Sequence, residues 1–323
     1  MSKGTAALVA PPPLAGTSRR RRLISGDRIF EAIAYGAAAL ILLVAGIFVI
    51  ALFIPALPAI TRFGLGFFVS RTWDPVRLEF GALPAIYGTL VTAAIALLIA
   101  FPVGLGAALF LAEDARLRFL RGPLSFAIEL LAGIPSVVIG LWAFFILTPL
   151  MRDNVDPFLH KSLGFLPFFQ GSASGYGFLT AGVVLAIMVL PIMIALSRDV
   201  IRAVPRGLRE SSIALGATGW ETTWRVVLPA ARAGIFGATV LALGRALGET
   251  IAVTMVIGNR PEFGGSILAP AYTLASVIAN EFNEATGRHY AALLELGLVL
   301  VLVTLVVNGA ALLLVRSEQG ARR

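Results

Sequence analysis

The sequence predicts an all-α integral membrane protein with six transmembrane helices, and three observations carry the prediction. Of its 323 residues, 58% are hydrophobic and only 14% are charged, and apolar runs long enough to cross about 30 Å of hydrocarbon recur along the chain. The absence of cysteine excludes a disulfide, a thiolate nucleophile or a cysteine-ligated metal. His160 and His289 stand far apart in segments that read as polar loops, so neither a metal site nor a cofactor held by this chain is expected. The net charge of +8 does not point to nucleic acid. In a membrane chain, excess arginine marks loops on the cytoplasmic side, with lipid as the surrounding partner.

Residues 1–27 hold Pro11, Pro12 and Pro13 and the run Arg19, Arg20, Arg21 and Arg22. They read as a disordered, basic cytoplasmic tail, and residues 28–323 as the transmembrane domain. The apolar stretch from Ile29 to about Ile54 is too long for a signal peptide and lacks a clear small-residue cleavage site, so it is an uncleaved first span. A polar outer connection over 55–85 leads to a second span, from about Ile86 to Ala112. The third covers roughly Pro123 to Leu150, with a kink or break expected at Pro135. An outer loop over 152–176 precedes span four, from Gly177 to Leu196. Span five runs to about Ile257, a loop follows over 258–288, and span six runs from Tyr290 to Val315.

Six spans place both termini on one side. The basic residues fall 18 on the proposed inner side, from Lys3 to Arg323, against 7 in the outer loops. Both termini are therefore expected in the cytoplasm, with the protein in the cell inner membrane.

Between spans four and five, the segment 206–229 is polar and helical and carries a spaced motif. Glu210, Ser211 and Ser212 are followed by Gly216, then by Val226, Leu228 and Pro229. Small side chains at Ser211, Ser212, Ala214, Gly216 and Ala217 let another protein approach the backbone, and Glu210, Arg206 and Arg209 offer polar contacts around it. Gly216 is expected to end the docking helix and Pro229 to start the next. The competing reading is an amphipathic helix lying on headgroups, but the apolar stripe is modest and the basic face weak.

This spacing resembles the EAA signature of ABC importer permeases, with serines in place of both alanines and valine in place of isoleucine. Three further segments, Phe80 to Leu90, Ile128 to Ser136 and Ala242 to Thr250, are similar to phosphate-specific permeases, PstC type more than PstA type. The resemblance covers about residues 70–315. It implies a type I ABC importer permease fold with a cytoplasmic coupling helix. It also implies a second, PstA-type permease subunit, two ATP-binding subunits using ATP and Mg, and an extracytoplasmic phosphate-binding protein delivering phosphate. The ATPase subunits must be separate chains, since a P-loop needs a lysine between glycine and Ser or Thr, and the only lysines, Lys3 and Lys161, follow Ser2 and His160. No enzymatic activity of its own is expected.

Charge within the spans marks the pathway. Arg245 and Glu249 are four apart, so they share a helix face and can touch. Pro229 to Arg245 spans about 24 Å at 1.5 Å per residue, deep in the membrane. Glu129 lies in the expected third span and could face the same interior. Each such group costs about 2.5–3.5 kcal/mol at a helix centre, so these side chains should meet a pathway or one another. A guanidinium suits an oxyanion because its fork meets two oxygens and never deprotonates. Glu249 would either temper Arg245 or accept a hydrogen bond from the protonated oxygen of hydrogenphosphate. A salt bridge that only fixes packing is the alternative for the pair. Glu295, near the outer end of span six, reads as a side chain reaching interfacial water.

Gly104, Gly106, Gly133, Gly140, Gly244 and Gly248 read as sites of close helix packing, and the four tryptophans as interfacial or packing residues. Phosphate permease is the preferred function. A permease for sulfate or molybdate, or an ion-gradient carrier, are the alternatives, the last disfavoured because a carrier needs no ATPase-docking element.

Overall fold

The computed structural model describes residues 20–113, 118–170, 174–261 and 264–320. Contacts divide the chain into two units, residues 1–51 and 52–323. Residues 1–19 of the expected basic tail lie outside the described residues, and residues 20–27 form the first turns of α1 (Arg20–Phe63).

Among the described residues six helical stretches are long and apolar enough to span a membrane. They are Asp27–Phe63, Leu83–Glu113, Ser136–Leu163, Phe178–Ala203, Gly219–Gly248 and Gly287–Leu313. The number agrees with the sequence reading, but several boundaries do not. The first helix continues past Ile54 through Pro55 and Pro58 to Phe63. The connection after it holds a short α2 (Gly66–Val69) and an antiparallel hairpin, β1 (Trp73–Asp74) with β2 (Glu79–Phe80).

Span two is α3 (Leu83–Glu113) and span four is α8 (Phe178–Ala203), and these two form the centre of the larger unit. Ala93, Ala96, Ala100, Gly104 and Ala108 recur at three- and four-residue spacing on α3 and are all buried. In lipid, where apolar side chains gain little by leaving their solvent, such small faces drive close helix approach. A β-carbon at Gly104 would stand 2.7 Å from Met193, and one at Gly182 2.4 Å from Ile95, so neither position tolerates a side chain without a shift.

The expected third span splits in two. The chain forms α4 (Arg118–Gly133), breaks at Ile134 and Pro135, and resumes as α5 (Ser136–Trp142). A π turn (Ala143–Leu147), α6 (Thr148–Leu150), a second π turn (Met151–Val155) and α7 (Asp156–Leu163) continue the rod. The break at Pro135 is as expected. The membrane-length stretch, however, starts after it and extends well into the segment read as an outer loop. The π turns fall next to Pro149 and Pro157, whose missing N–H groups a regular helix cannot use.

Between spans four and five lies α9 (Arg206–Ala214). The next helix does not begin at Pro229. It begins at α10 (Gly219–Thr222), capped by Thr218, whose side chain accepts from the Glu221 backbone N–H while Glu221 returns to the Thr218 N–H. A π turn (Thr223–Val227) leads into α11 (Leu228–Gly248), which places Pro229 inside a continuous rod. The sequence reading took the proline for a start and passed over the capping box Thr218-Gly-Trp-Glu221. Beyond α11 are α12 (Ile251–Val256), α13 (Leu274–Glu281) and α14 (Gly287–Gly320). Both histidines are helical, His160 in α7 and His289 in the first turn of α14.

Candidate functional site

The first part of the site is α9 and its supports. Gly216 has φ +91°, and the two bonds that end the helix run from Ala217 N–H to Ser212 C=O and from Gly216 N–H to Ile213 C=O. This is the Schellman pattern, which needs a left-handed residue where Gly216 stands. Glu210, Ser211, Ala214 and Gly216 are exposed. Ser212 is turned inward, its hydroxyl 2.9 Å from that of Thr222 on α10. Leu228 is half-buried and Pro229 exposed.

Arg209 does not offer itself to a partner as the sequence suggested. Its guanidinium donates to Glu113 Oε1 at 2.8 Å, to the Ile201 carbonyl at 2.7 Å and to the Val204 carbonyl. It therefore locks α9 to the last residue of α3 and the end of α8. Arg202 adds a bond from Nη2 to the Leu111 carbonyl at 2.9 Å. Exposed apolar side chains instead surround α9: Leu208 and Ile213 on the helix and Leu215 at its C-cap, the last 89% exposed. These apolar residues were not singled out from sequence, although apolar side chains between arginines on a short polar helix were the available signal.

The second part is the end of α11. Glu249 leaves the helix with φ −69° and ψ 132°, and the backbone turns at Thr250 before α12 begins. Span five is thus not one helix to Ile257 but two segments with an unwound junction. Arg245 lies in the last turn of α11, where unpaired carbonyls favour a cation. It stands 26 residues from Gly219, about 39 Å along the rod at 1.5 Å per residue.

Arg245 Nη2 and Glu249 Oε2 are 3.9 Å apart, with the arginine side chain 43% exposed and the glutamate 9%. That separation is an ion pair but not a hydrogen bond. The carboxylate is withdrawn and the guanidinium projects, so the pair attracts without spending the arginine's donors on its partner. Both side chains line a cleft of about 700 Å³ with Ile192, Leu241, Gly244 and Asn308.

Glu129 is not brought to this cleft. It lies exposed on α4, ahead of the break at Pro135 rather than inside a membrane-length helix. The sequence missed this because the apolar residues of α4 and α5 run together with only Pro135 between them. Glu295 differs in the other direction: it is 4% exposed, and its Oε2 is buried without a hydrogen bond among the described residues, so it does not reach interfacial water. Of the glycines read as packing sites, Gly104, Gly140 and Gly244 face close neighbours, whereas Gly106, Gly133 and Gly248 face none within 4 Å. Gly140 admits α12, since a β-carbon there would stand 2.8 Å from Met255 Sδ and 3.0 Å from Ala252 Cα.

At the end of the unit opposite α9, a polar cluster closes over the apolar core formed by Phe67, Phe80, Leu274 and Leu293. Glu281 accepts from Trp73 Nε1 at 2.9 and 3.1 Å and lies 2.8 Å from His289 Nε2, and the Tyr272 hydroxyl donates to it at 3.4 Å. Burial, then the charge of Glu281, pushes the Tyr272 phenol up to about 12, so it remains a donor. The cluster ties the hairpin, α13 and α14 together, a role not foreseen for Trp73 or His289.

The family described as the binding-protein-dependent transport system inner membrane component matches residues 100–319. A phosphate transport system permease protein PstC of Xylella fastidiosa is 52% identical over 248 residues, 76% of either chain. The PstC of Mesorhizobium japonicum is 46% identical over 296 residues, 90% of either chain. Among solved structures, a bacterial alginate ABC transporter in complex with an alginate-bound periplasmic protein superposes with TM-score 0.59 at 18% identity, covering 90% of this chain and 94% of that one. The inward-facing MetNI methionine ABC transporter gives TM-score 0.53 at 18% identity, covering 76% and 99%. These structural likenesses bear on the fold, which is that of ABC importer permeases. At this identity and coverage, the chain belongs to the binding-protein-dependent inner-membrane transport components and, within them, to the PstC phosphate-transport permeases.

Proposed function

We propose that this protein is the permease subunit of an ATP-driven phosphate importer, forming half of the translocation pathway and receiving motion from cytoplasmic ATPase subunits. The observation that carries the reading is the pairing of two features in one compact unit: a short polar helix, α9, locked to the ends of α3 and α8, and a projecting arginine at an unwound helix junction. The PstC relatives support phosphate as the substrate.

In this reading α9 faces the cytoplasm, as do both termini, and its exposed Leu208, Ile213 and Leu215 seat in an ATPase groove. Glu210 and Ser211 flank that contact, Gly216 ends it, and Leu228 and Pro229 belong to the rod that carries the motion onward. A PstA-type subunit supplies the other half of the pathway, and an external phosphate-binding protein delivers the anion. ATP and Mg are held by the partner ATPases.

ATPase closure pushes α9, and the Arg209 lock passes the displacement to α3 and α8 rather than to a loose loop. Helix α11 then carries it to the junction, where Arg245 meets phosphate with its two-pronged donor set. The withdrawn Glu249 tempers the positive field so that the anion is attracted without being trapped.

The test is uptake of labelled phosphate into proteoliposomes holding the full assembly, with ATP supplied to the ATPase side, phosphate-binding protein on the other, and sulfate as competitor. Uptake should need both ATP and the binding protein and should resist sulfate. Uptake driven by an ion gradient without ATP would overturn the proposal in favour of a secondary carrier.

A further inference from the structure

The cleft contains one polar group that no pattern of charge announces. Asn308 lies on α14, in a stretch from Gly297 to Val315 whose only other polar side chain is Thr304. Thr304 returns its hydroxyl to the Leu300 carbonyl at 2.7 Å, as a hydroxyl in a membrane helix ordinarily does. Asn308 has no such local solution. Its Oδ1 is buried and accepts no hydrogen bond among the described residues, a costly arrangement for an amide in an apolar span.

Helix α11 makes room for this amide. Gly244 faces it, and a β-carbon at that position would stand 3.3 Å from Asn308 Nδ2, tighter than an ordinary contact. Gly244 immediately precedes Arg245, so the amide sits beside the backbone that carries the guanidinium. Asn308, Arg245 and Glu249 line the same cleft.

We propose that Asn308 is a substrate-contacting, specificity-determining residue of this cleft, selecting a tetrahedral oxyanion that carries a proton. The inference rests on the phosphate-permease reading above. Arginine can only donate and an ionised carboxylate can only accept, whereas an amide does both. Its N–H donates to an unprotonated oxygen of hydrogenphosphate, or its carbonyl, once turned to the cleft, accepts from the P–OH. A half-turn about the broad Cβ–Cγ torsion exchanges the two between the Gly244 side and the cleft. Sulfate offers no proton, so with sulfate in place the amide carbonyl stays unmet, and an unmet buried acceptor disfavours that complex.

The experiment compares phosphate moved per ATP hydrolysed in proteoliposomes holding the parent assembly, Asn308→Leu, Asn308→Asp and Gly244→Ala. Asn308→Leu keeps apolar packing between α11 and α14 and removes the amide. It should lower the ratio about tenfold or more while ATP hydrolysis still responds to the loaded binding protein. Asn308→Asp removes the donor and adds a negative charge to the cleft that already holds Glu249, so its loss should be at least as large as that of Asn308→Leu. Gly244→Ala leaves the amide in place but displaces it, and a several-fold loss is expected.

A parent-like ratio in Asn308→Leu would show that the amide only packs one helix on another and would overturn the proposal. Should that variant fail to assemble, Asn308→Ala decides on the same ratio, with the same loss expected and a parent-like ratio overturning. Failure of the underlying reading shows elsewhere, as absence of ATP-driven phosphate uptake in the parent assembly itself.

Discussion

Arg209 donates to Glu113 across 2.8 Å, joining the middle of α9 to the last residue of α3, with both side chains about four-fifths shielded from solvent. A charge-assisted bond of this kind, partly sheltered from water, is worth about 1.5–3 kcal/mol. The backbone carbonyls of Ile201 and Val204 take two further donors. Helix α9 is therefore tied to the ends of α3 and α8.

Breaking that lock should uncouple the assembly. Arg209→Gln or Glu113→Gln is expected to assemble and hydrolyse ATP while phosphate moved per ATP drops several-fold. Restoration in the charge-swapped double variant is not expected, because Glu at 209 cannot donate to the Ile201 and Val204 carbonyls. An unchanged ratio in both single variants would rule out a mechanical role for the pair.

Gly216 offers a conformational test free of steric effects. Its φ is +91°, yet a β-carbon there meets nothing within 4 Å. Gly216→Ala should thus cost about 1–2 kcal/mol from backbone strain alone. Faster amide hydrogen exchange at Gly216 and Ala217, whose N–H groups close the helix, is the expected readout, with Gly216→Asn milder.

Arg245 tests the fork against mere charge. Arg245→Gln should abolish ATP-driven uptake in an assembly that still forms, and Arg245→Lys should retain only a minor fraction, since an ammonium keeps the charge and loses the two-oxygen geometry. Full activity in Arg245→Lys would reduce the side chain to a point charge.

For Glu249, the 3.9 Å gap to Arg245 separates two roles. Glu249→Gln should slow release of the anion and lower phosphate uptake. If the carboxylate also accepts from the protonated oxygen, sulfate exclusion weakens as well. Uptake and exclusion both equal to the parent would eliminate either function.

Tyr272 and Glu281 give a pH prediction at the other end of the unit. Tyr272 is held protonated to about 12, chiefly by burial and then by the charge of Glu281. A folded-state pKa raised above the ordinary value of 10.0 contributes stability that is fully present below pH 10 and is lost as pH rises towards 12. Tyrosinate absorbance should show one phenol titrating late, and Glu281→Gln should bring it earlier. The same variant should loosen the hairpin, read as faster exchange around Trp73 and Phe80.

The sequence by itself determined the class of molecule and the location of its machinery. Hydrophobic runs set six spans because hydrocarbon thickness sets their length, and Gly216 reads as a helix stop because a glycine stop is local chemistry. Arg245 and Glu249 stood out because charge is costly in lipid. Tertiary structure decided what depends on neighbours. It left Glu129 exposed on a separate helix, because one proline between two apolar segments does not say which of them crosses the membrane. It turned Arg209 inward, where the ends of α3 and α8 supply acceptors 96 and 8 residues away in sequence. It ended α11 at Gly248, so Glu249 caps the helix face that carries Arg245 and the pair stands at the edge of an unwound junction. It also placed Asn308 opposite Gly244, a proximity between α11 and α14 that no local spacing could have encoded.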